Sequence, residues 1–153
     1  MGVAAAKAGK AFWIEKPVGR GAAETIEVSE AVKKAGVETT IGFNYRHPPA
    51  VEYAKQIIAA GELGRITNVR GSYFADYSAE PNGALSWRFF REYAGNGVLG
   101  DLMGHLVDQV QYILGPISEV VGLTKTVITE RPVLQMGSGT HFDVIDGGVK
   151  QPV

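Results

Sequence analysis

The feature that most constrains this chain is a strand–helix–strand pattern at its amino end. Residues 11–15, AFWIE, form a short apolar run that ends at Lys16-Pro17. Pro17 disfavours the α region for Lys16, so Lys16 is expected at the end of a strand. Residues 22–35 carry Ile26, Ala31, Val32 and Ala35 near helical spacing, and Gly36 is a natural stop. Residues 38–43, ETTIGF, read as the next strand. Short connections between these elements predict a β-α-β unit with two parallel strands. An Ala-rich helix over 2–8 precedes the unit.

The pattern changes after residue 43. The HPP run at 47–49 predicts a helix to about Ala60, with Val51, Ala54, Ile57 and Ile58 inward. Residues 66–77 alternate cleanly, with Val69, Gly71, Tyr73, Ala75 and Tyr77 on one face, as a strand of an antiparallel sheet does. Residues 78–97 read as loop, with Trp87 and Phe89 as anchors. A helix over 101–114 and a strand over 117–128 follow, and the tail from Glu130 is rich in Gly and Pro without a clear period. The change of strand style places a boundary near 44–47. The expected fold class is α/β: a mostly parallel part followed by an α+β part with a mostly antiparallel sheet.

With 153 residues, a net charge of −1 and no cysteine, the chain gives no basic surface for nucleic acid, no disulfide and no thiolate chemistry. No apolar run reaches the roughly 20 residues of a membrane span. The expectation is a cytoplasmic protein without nucleic-acid or membrane partners. No metal site is expected, because His47, His105 and His141 lie far apart and lack ligand spacing.

Two stretches carry opposing signals. Gly95, Gly97 and Gly100 spell G-x-G-x-x-G, a dinucleotide fingerprint that should follow a buried strand. The preceding SWRFFREYA is no such strand, and Asp101 would put a carboxylate where phosphate must sit. GRGAAE at 19–24 follows a strand and opens a helix, but Glu24 replaces the third glycine, so a plain strand-to-helix loop is expected. On the helix from 101, Asp101, His105, Asp108 and Tyr112 recur in steps of four, three and four and share a face. That stripe is either plain amphipathicity or a histidine held for acid–base work. Lys16, at a strand end, is either a surface lysine or a ligand contact, since ligands bind beyond the carboxyl ends of such strands. The NYRH cluster at 44–47 follows the next strand and opens on the same edge if the two are parallel neighbours. Trp87-Arg88 could clamp a ligand or simply anchor a loop.

Several segments resemble the Gfo/Idh/MocA oxidoreductases, the glucose–fructose oxidoreductase and inositol dehydrogenase relatives. AAAKAGKAFWIEKPVG is similar to the run into that family's E-K-P motif. IGFNYRHPPAVEYAKQIIAAGELGRITNVRGSYF resembles its passage between domains. WRF and AGNGVLGDLMGHLVDQVQYILG resemble its W-R and G-G-x-x-x-D-x-x-x-H segments. The resemblance is collinear from about residue 3 to residue 128. It implies that residues 1–45 are the C-terminal part of an NAD(P)-binding Rossmann domain. Residues 46–153 would be part of the family's substrate-binding and catalytic domain, whose sheet often builds a homo-oligomer.

The resemblance further implies hydride transfer between NAD or NADP and a sugar, inositol or related polyol. Lys16, Asp101 and His105 match the catalytic positions, with His105 as acid/base. Glu15, Lys16, Pro17, Asn44, Trp87 and Arg88 match cofactor-lining positions; Tyr45, Arg46, Asp101 and His105 match substrate-lining ones. Family members begin with a glycine-rich half that this chain lacks and continue with further strands, so a fragment of a longer enzyme is expected. The residues that choose NAD or NADP would lie in that half. Two rivals share the resemblance: a non-catalytic ligand sensor on the same fold, and an inert piece that makes subunit contacts.

Overall fold

A computed structural model describes residues 1–134 and 139–153. In chain order the regular elements are α1 (Gly2–Lys7), β1 (Phe12–Ile14), α2 (Ala22–Ala35), β2 (Thr39–Ile41), α3 (Pro49–Ala59), α4 (Arg91–Ala94), α5 (Gly104–Leu114), β3 (Glu130–Pro132) and β4 (Lys150–Pro152). Short 3₁₀ turns occur at Asn44–Arg46, Asp76–Ser78 and Trp87–Phe89, and a π-helical turn at Leu99–Met103 leads into α5. The chain divides into two compact units. One comprises Met1–Ser72 and Val98–Ser118, the other Tyr73–Gly97 and Glu119–Val153.

In the first unit, β1 and β2 pair in parallel, with Phe12 opposite Thr39 and Ile14 opposite Ile41. The β-α-β reading of residues 11–43 is therefore correct in its elements and strand sense. Gly36 closes α2 in the left-handed conformation at φ 63°, which a glycine adopts without a Cβ penalty. The inward face of α2 differs from expectation. Thr25, Val28, Ala31 and Val32 are half-buried, whereas Ile26 is exposed. Val28 faces α1, where Gly2 and Ala6 are buried; a Cβ on Gly2 would lie 3.0 Å from Val28 Cγ1. Small residues on α1 let the two helices approach, and that contact sets the rotation of α2. Helix α3 starts at Pro49 and half-buries Val51, Ala54, Ile57 and Ile58, as the HPP signal predicts.

Two expected strands are absent among the described residues. Residues 66–77 and 117–128 hold no ladder, and Asp76–Ser78 is a 3₁₀ turn. Burial alternates only from Tyr73 to Tyr77, while Val120, Val121, Leu123 and Val127 are exposed. Alternation reports which side chains share a face. A strand also needs a neighbour for its backbone N–H and C=O groups, which no local pattern can supply.

The second unit is built from the tail that shows no period. β3 and β4 pair antiparallel, with Arg131 opposite Gln151. Leu85 N–H donates to the Pro132 carbonyl at 2.8 Å, Ala84 N–H to Asp143 at 2.9 Å and Ile145 N–H to Asn82 at 2.9 Å. Ala84, Leu85 and Pro132 form the small core beneath these bonds. Arg131, 3% exposed, is its centre. Its guanidinium donates to the carbonyls of Ser78 (2.5 Å), Glu80 (2.9 Å) and Gly83 (3.3 Å) and lies 4.2 Å over the Phe89 ring. Trp87 is not an anchor in this unit; it is 56% exposed, and Phe89 takes that place against Arg131. Residues 135–138 of the tail lie outside the described residues.

Candidate active site

The polar stripe on the helix from residue 101 faces inward, which reverses the amphipathic reading. His105 and Asp108 are each 6% exposed and are the most buried residues of α5. Every member of the stripe meets a partner from another element of the first unit. Lys16 lies two residues beyond the end of β1, and its peptide bond to Pro17 is cis. Its Nζ donates to Asp101 Oδ1 at 2.8 Å and to the Asp101 carbonyl at 2.7 Å. The Lys16 side chain is 14% exposed and that of Asp101 33%. Asp101 lies on the π-helical turn, a form often found at functional sites. Pro17 lies beside that turn, 3.6 Å from the position a Cβ on Gly100 would take.

One turn further on, the His105 imidazole stacks on Tyr45, with ring centroids 4.2 Å apart and planes at 30°. Phe43 meets the same ring edge-on at 6.1 Å. Burial and the nearby Lys16 ammonium push the His105 imidazole below its ordinary value, against the pull of Asp101, Asp108 and Glu15. At neutral pH the ring is therefore uncharged and able to accept a proton.

Next along the stripe, Asp108 takes a forked ion pair from Arg46: Nε to Oδ2 at 2.8 Å and Nη2 to Oδ1. Gln109 Nε2 donates to the Tyr45 carbonyl at 3.0 Å, a second tie between α5 and the Asn44–Arg46 turn. Tyr112 closes the stripe. Its hydroxyl donates to Glu52 of α3 at 2.7 Å, and Lys55 Nζ lies 3.6 Å from its ring centroid.

The structure thus brings Lys16, Tyr45, Arg46, Asp101 and His105 into one constellation. Glu15 and Asn44 flank it as exposed residues. Glu15 lies across Gly42, where a Cβ would come within 2.8 Å of its Oε2. Trp87 and Arg88 belong to the second unit, where the Arg88 guanidinium lies 4.6 Å over Trp87 and its Nη1 is 3.4 Å from His141 Nδ1. Asp108 and Tyr112 are visible in the sequence as stripe members, but their partners Arg46 and Glu52 are not, since those contacts span 62 and 60 residues. The two glycine runs are also resolved. G-x-G-x-x-G follows the short helix α4 rather than a strand. In GRGAAE, the Glu24 carboxylate accepts from Arg20 N–H and Nε, both at 2.8 Å, so the run is a self-closed loop into α2.

The model of the GFO/IDH/MocA C-terminal domain matches residues 51–148. The chain is 43% identical to a levoglucosan dehydrogenase of Pseudarthrobacter phenanthrenivorans over 97% of its own length and 38% of the relative's. This chain belongs to the Gfo/Idh/MocA family. A solved levoglucosan dehydrogenase in complex with NADH and L-sorbose matches 99% of the chain at TM-score 0.88 and 41% identity, covering 38% of that chain. The scyllo-inositol 2-dehydrogenase (NAD(+)) of Bacillus subtilis (strain 168) is 35% identical over 75% of this family member and 31% of its own length. The chain therefore spans well under half the length of these relatives. No helix among its described residues is long and apolar enough to cross a membrane.

Proposed function

We propose that this protein contributes the acid–base centre of an NAD(P)-dependent oxidoreductase that interconverts a secondary alcohol and a ketone on a sugar, inositol or related polyol. The observation that carries the reading is a buried His105 one turn from Asp101, its imidazole pushed below the ordinary value by burial and Lys16, with Lys16 held on Asp101 by two hydrogen bonds. His105 takes the hydroxyl proton of the substrate. Lys16 stabilises the alkoxide that develops, and Asp101 fixes the direction of its ammonium. Tyr45 forms one wall, and the Phe43 edge keeps water from the imidazole. The nicotinamide cofactor, when bound, supplies the hydride acceptor.

The residues present fit one end of that cofactor. Glu15, Lys16 and Pro17 lie at the carboxyl end of β1, where open α/β sheets receive ligands, and Asn44 follows β2 on the same edge. The Glu24 carboxylate closes the loop before α2 onto Arg20, which argues against that helix as the pyrophosphate site. Trp87 and Arg88 are cofactor-lining candidates on their W-R motif alone. Residues 1–45 belong in this reading to the nucleotide domain and residues 46–153 to the catalytic domain, whose sheet is the proposed oligomer contact. The levoglucosan and scyllo-inositol dehydrogenases support a cyclic polyol or anhydrosugar as the substrate class.

The test combines NADH and NADPH titration, read at the tryptophans, with assays of levoglucosan and inositol oxidation. In a longer protein that carries this segment together with a pyrophosphate-binding half, saturable cofactor binding is expected, with turnover that falls by about 10²–10⁴-fold in His105→Ala while binding persists. Binding and turnover that ignore both His105→Ala and Lys16→Met would overturn the assignment. Cofactor binding with no turnover of any polyol would favour a ligand sensor.

A further inference from the structure

Arg46 matches a substrate-lining position in its family, yet its guanidinium is committed to Asp108 through a fork. Asp108 lies one turn beyond His105 on α5 and is buried to the same degree. Arg46 follows Tyr45 directly, and Tyr45 is the ring that lies flat on His105. The fork therefore ties the Tyr45 turn to the helix that carries the imidazole, and Gln109 ties it again at the Tyr45 carbonyl. The guanidinium also sits 5.7 Å over Phe43, the second ring against His105, and 5.2 Å over Tyr112. A planar fork makes this clamp directional in a way an ammonium does not.

We infer that Arg46 and Asp108 are positioning residues for His105: the pair holds Tyr45 against the imidazole and neutralises the carboxylate nearest to it along α5. Arg46 then acts through His105 and does not touch substrate. The inference rests on the proposed acid–base role of His105, but the electrostatic part is measurable without any turnover.

The groups that face His105 are Glu15 and Lys16 from the end of β1, Asp101 from the π-helical turn, and Asp108 from its own helix. Arg46 reaches Asp108 from the Asn44–Arg46 turn, and α3 brings Glu52 and Lys55 only as far as Tyr112. Removal of Arg46 exposes the ring to an uncompensated Asp108 carboxylate, which favours the imidazolium. Loss of the Asp108 charge leaves the Arg46 guanidinium, which disfavours it. The two changes therefore act in opposite directions, which a contact important only for folding would not produce.

The experiment follows the imidazole proton resonances of the three histidines against pH in the 153-residue chain, with His105 assigned by its loss in His105→Gln. Arg46→Gln is expected to raise the His105 midpoint by on the order of one pKa unit, and Asp108→Asn to lower it by a similar amount. The double variant Arg46→Gln/Asp108→Asn should return close to the parent. Arg46→Lys, which keeps the charge, should leave the midpoint nearly unchanged. It should also reduce the ring-current shift that Tyr45 imposes on His105, and it provides the test if the Gln and Asn variants do not fold. Shifts of the same sign in both single variants, or an Arg46→Lys chain with parental ring-current shifts, overturn the inference. If the midpoints move as expected but the acid limb of polyol oxidation does not follow them, the clamp stands and the role given to His105 fails.

Discussion

Asp108 and Arg131 are both charged and almost wholly inside the protein, and the two units satisfy them in different ways. Asp108 is met by an opposite charge, the forked guanidinium of Arg46. The hydrogen bonds of Arg131 go to backbone carbonyls of Ser78, Glu80 and Gly83. The carboxylate fixes one side chain, and through it the Tyr45 ring on His105. The guanidinium fixes a loop, because carbonyls from three residues of one bend converge on it. An ion pair can thus orient a working group, whereas a charge spent on carbonyls defines the path of the chain. Burial also pushes the Arg131 guanidinium down from its usual value, and Arg46 is pushed up by its hydrogen bond to Asp108.

The largest expected effect comes from breaking the ion pair on one side. Arg46→Ala leaves the Asp108 carboxylate, whose side chain is 7% exposed, without its partner, which should cost about 4 kcal/mol. Urea unfolding, together with hydrogen exchange of the α5 amides, measures this; a loss close to zero would show that the pair does not organise the helix. Arg131→Met keeps apolar bulk over Phe89 but strands the carbonyls, with an expected cost of about 3 kcal/mol. Faster exchange confined to the β3–β4 ladder and the residue 78–85 backbone is the expected signature. Arg131→Lys should recover only part of it, since an ammonium cannot serve all three acceptors in the same fork.

The pH dependence is smaller. The folded value of His105 lies below its unfolded value, so the unfolded chain binds the extra proton more readily. Stability is then full above about pH 6.5 and declines as the pH falls below that value, by at most about 1.4 kcal/mol per pH unit. His105→Gln should flatten this part of the stability profile. The smallest change is expected where the pair is replaced as a unit. Arg46→Met with Asp108→Leu should leave stability within about 1 kcal/mol of the parent, because two well-packed apolar groups avoid the desolvation of two charges. A large loss there would mean that the fork contributes more to folding than to orientation, and would remove the contrast with Arg131.

Much of the candidate site was legible because its spacing is local. The four-three-four stripe from Asp101 to Tyr112 follows from helical geometry, and Lys16 at a strand end follows from Pro17. The direction in which the stripe faces was not legible. A row of Asp, His, Asp and Tyr beside Leu, Val and Ile looks like the wet side of a helix until Arg46, Glu52 and Lys16 are brought against it. Arg131 was less legible still. Glu130-Arg131-Pro132 carries no strand signal, and the acceptors of its guanidinium are main-chain oxygens that no side-chain pattern encodes. Residues 66–77 and 117–128 erred the other way, since their alternation is real where it is seen but no partner strand among the described residues pairs with them.

The sequence by itself determined the parallel β-α-β unit, the start of α3 at the Pro48-Pro49 pair, the shared face of Asp101, His105, Asp108 and Tyr112, and the family to which the chain belongs. These depend on backbone preferences and short periods, which act within a few residues. Tertiary structure alone decided that this face is buried, that Arg46 serves Asp108, that Tyr45 covers His105 and that Arg131 becomes a core residue. Each of those depends on groups at least 42 residues apart meeting in a medium too dry to leave a charge unpartnered.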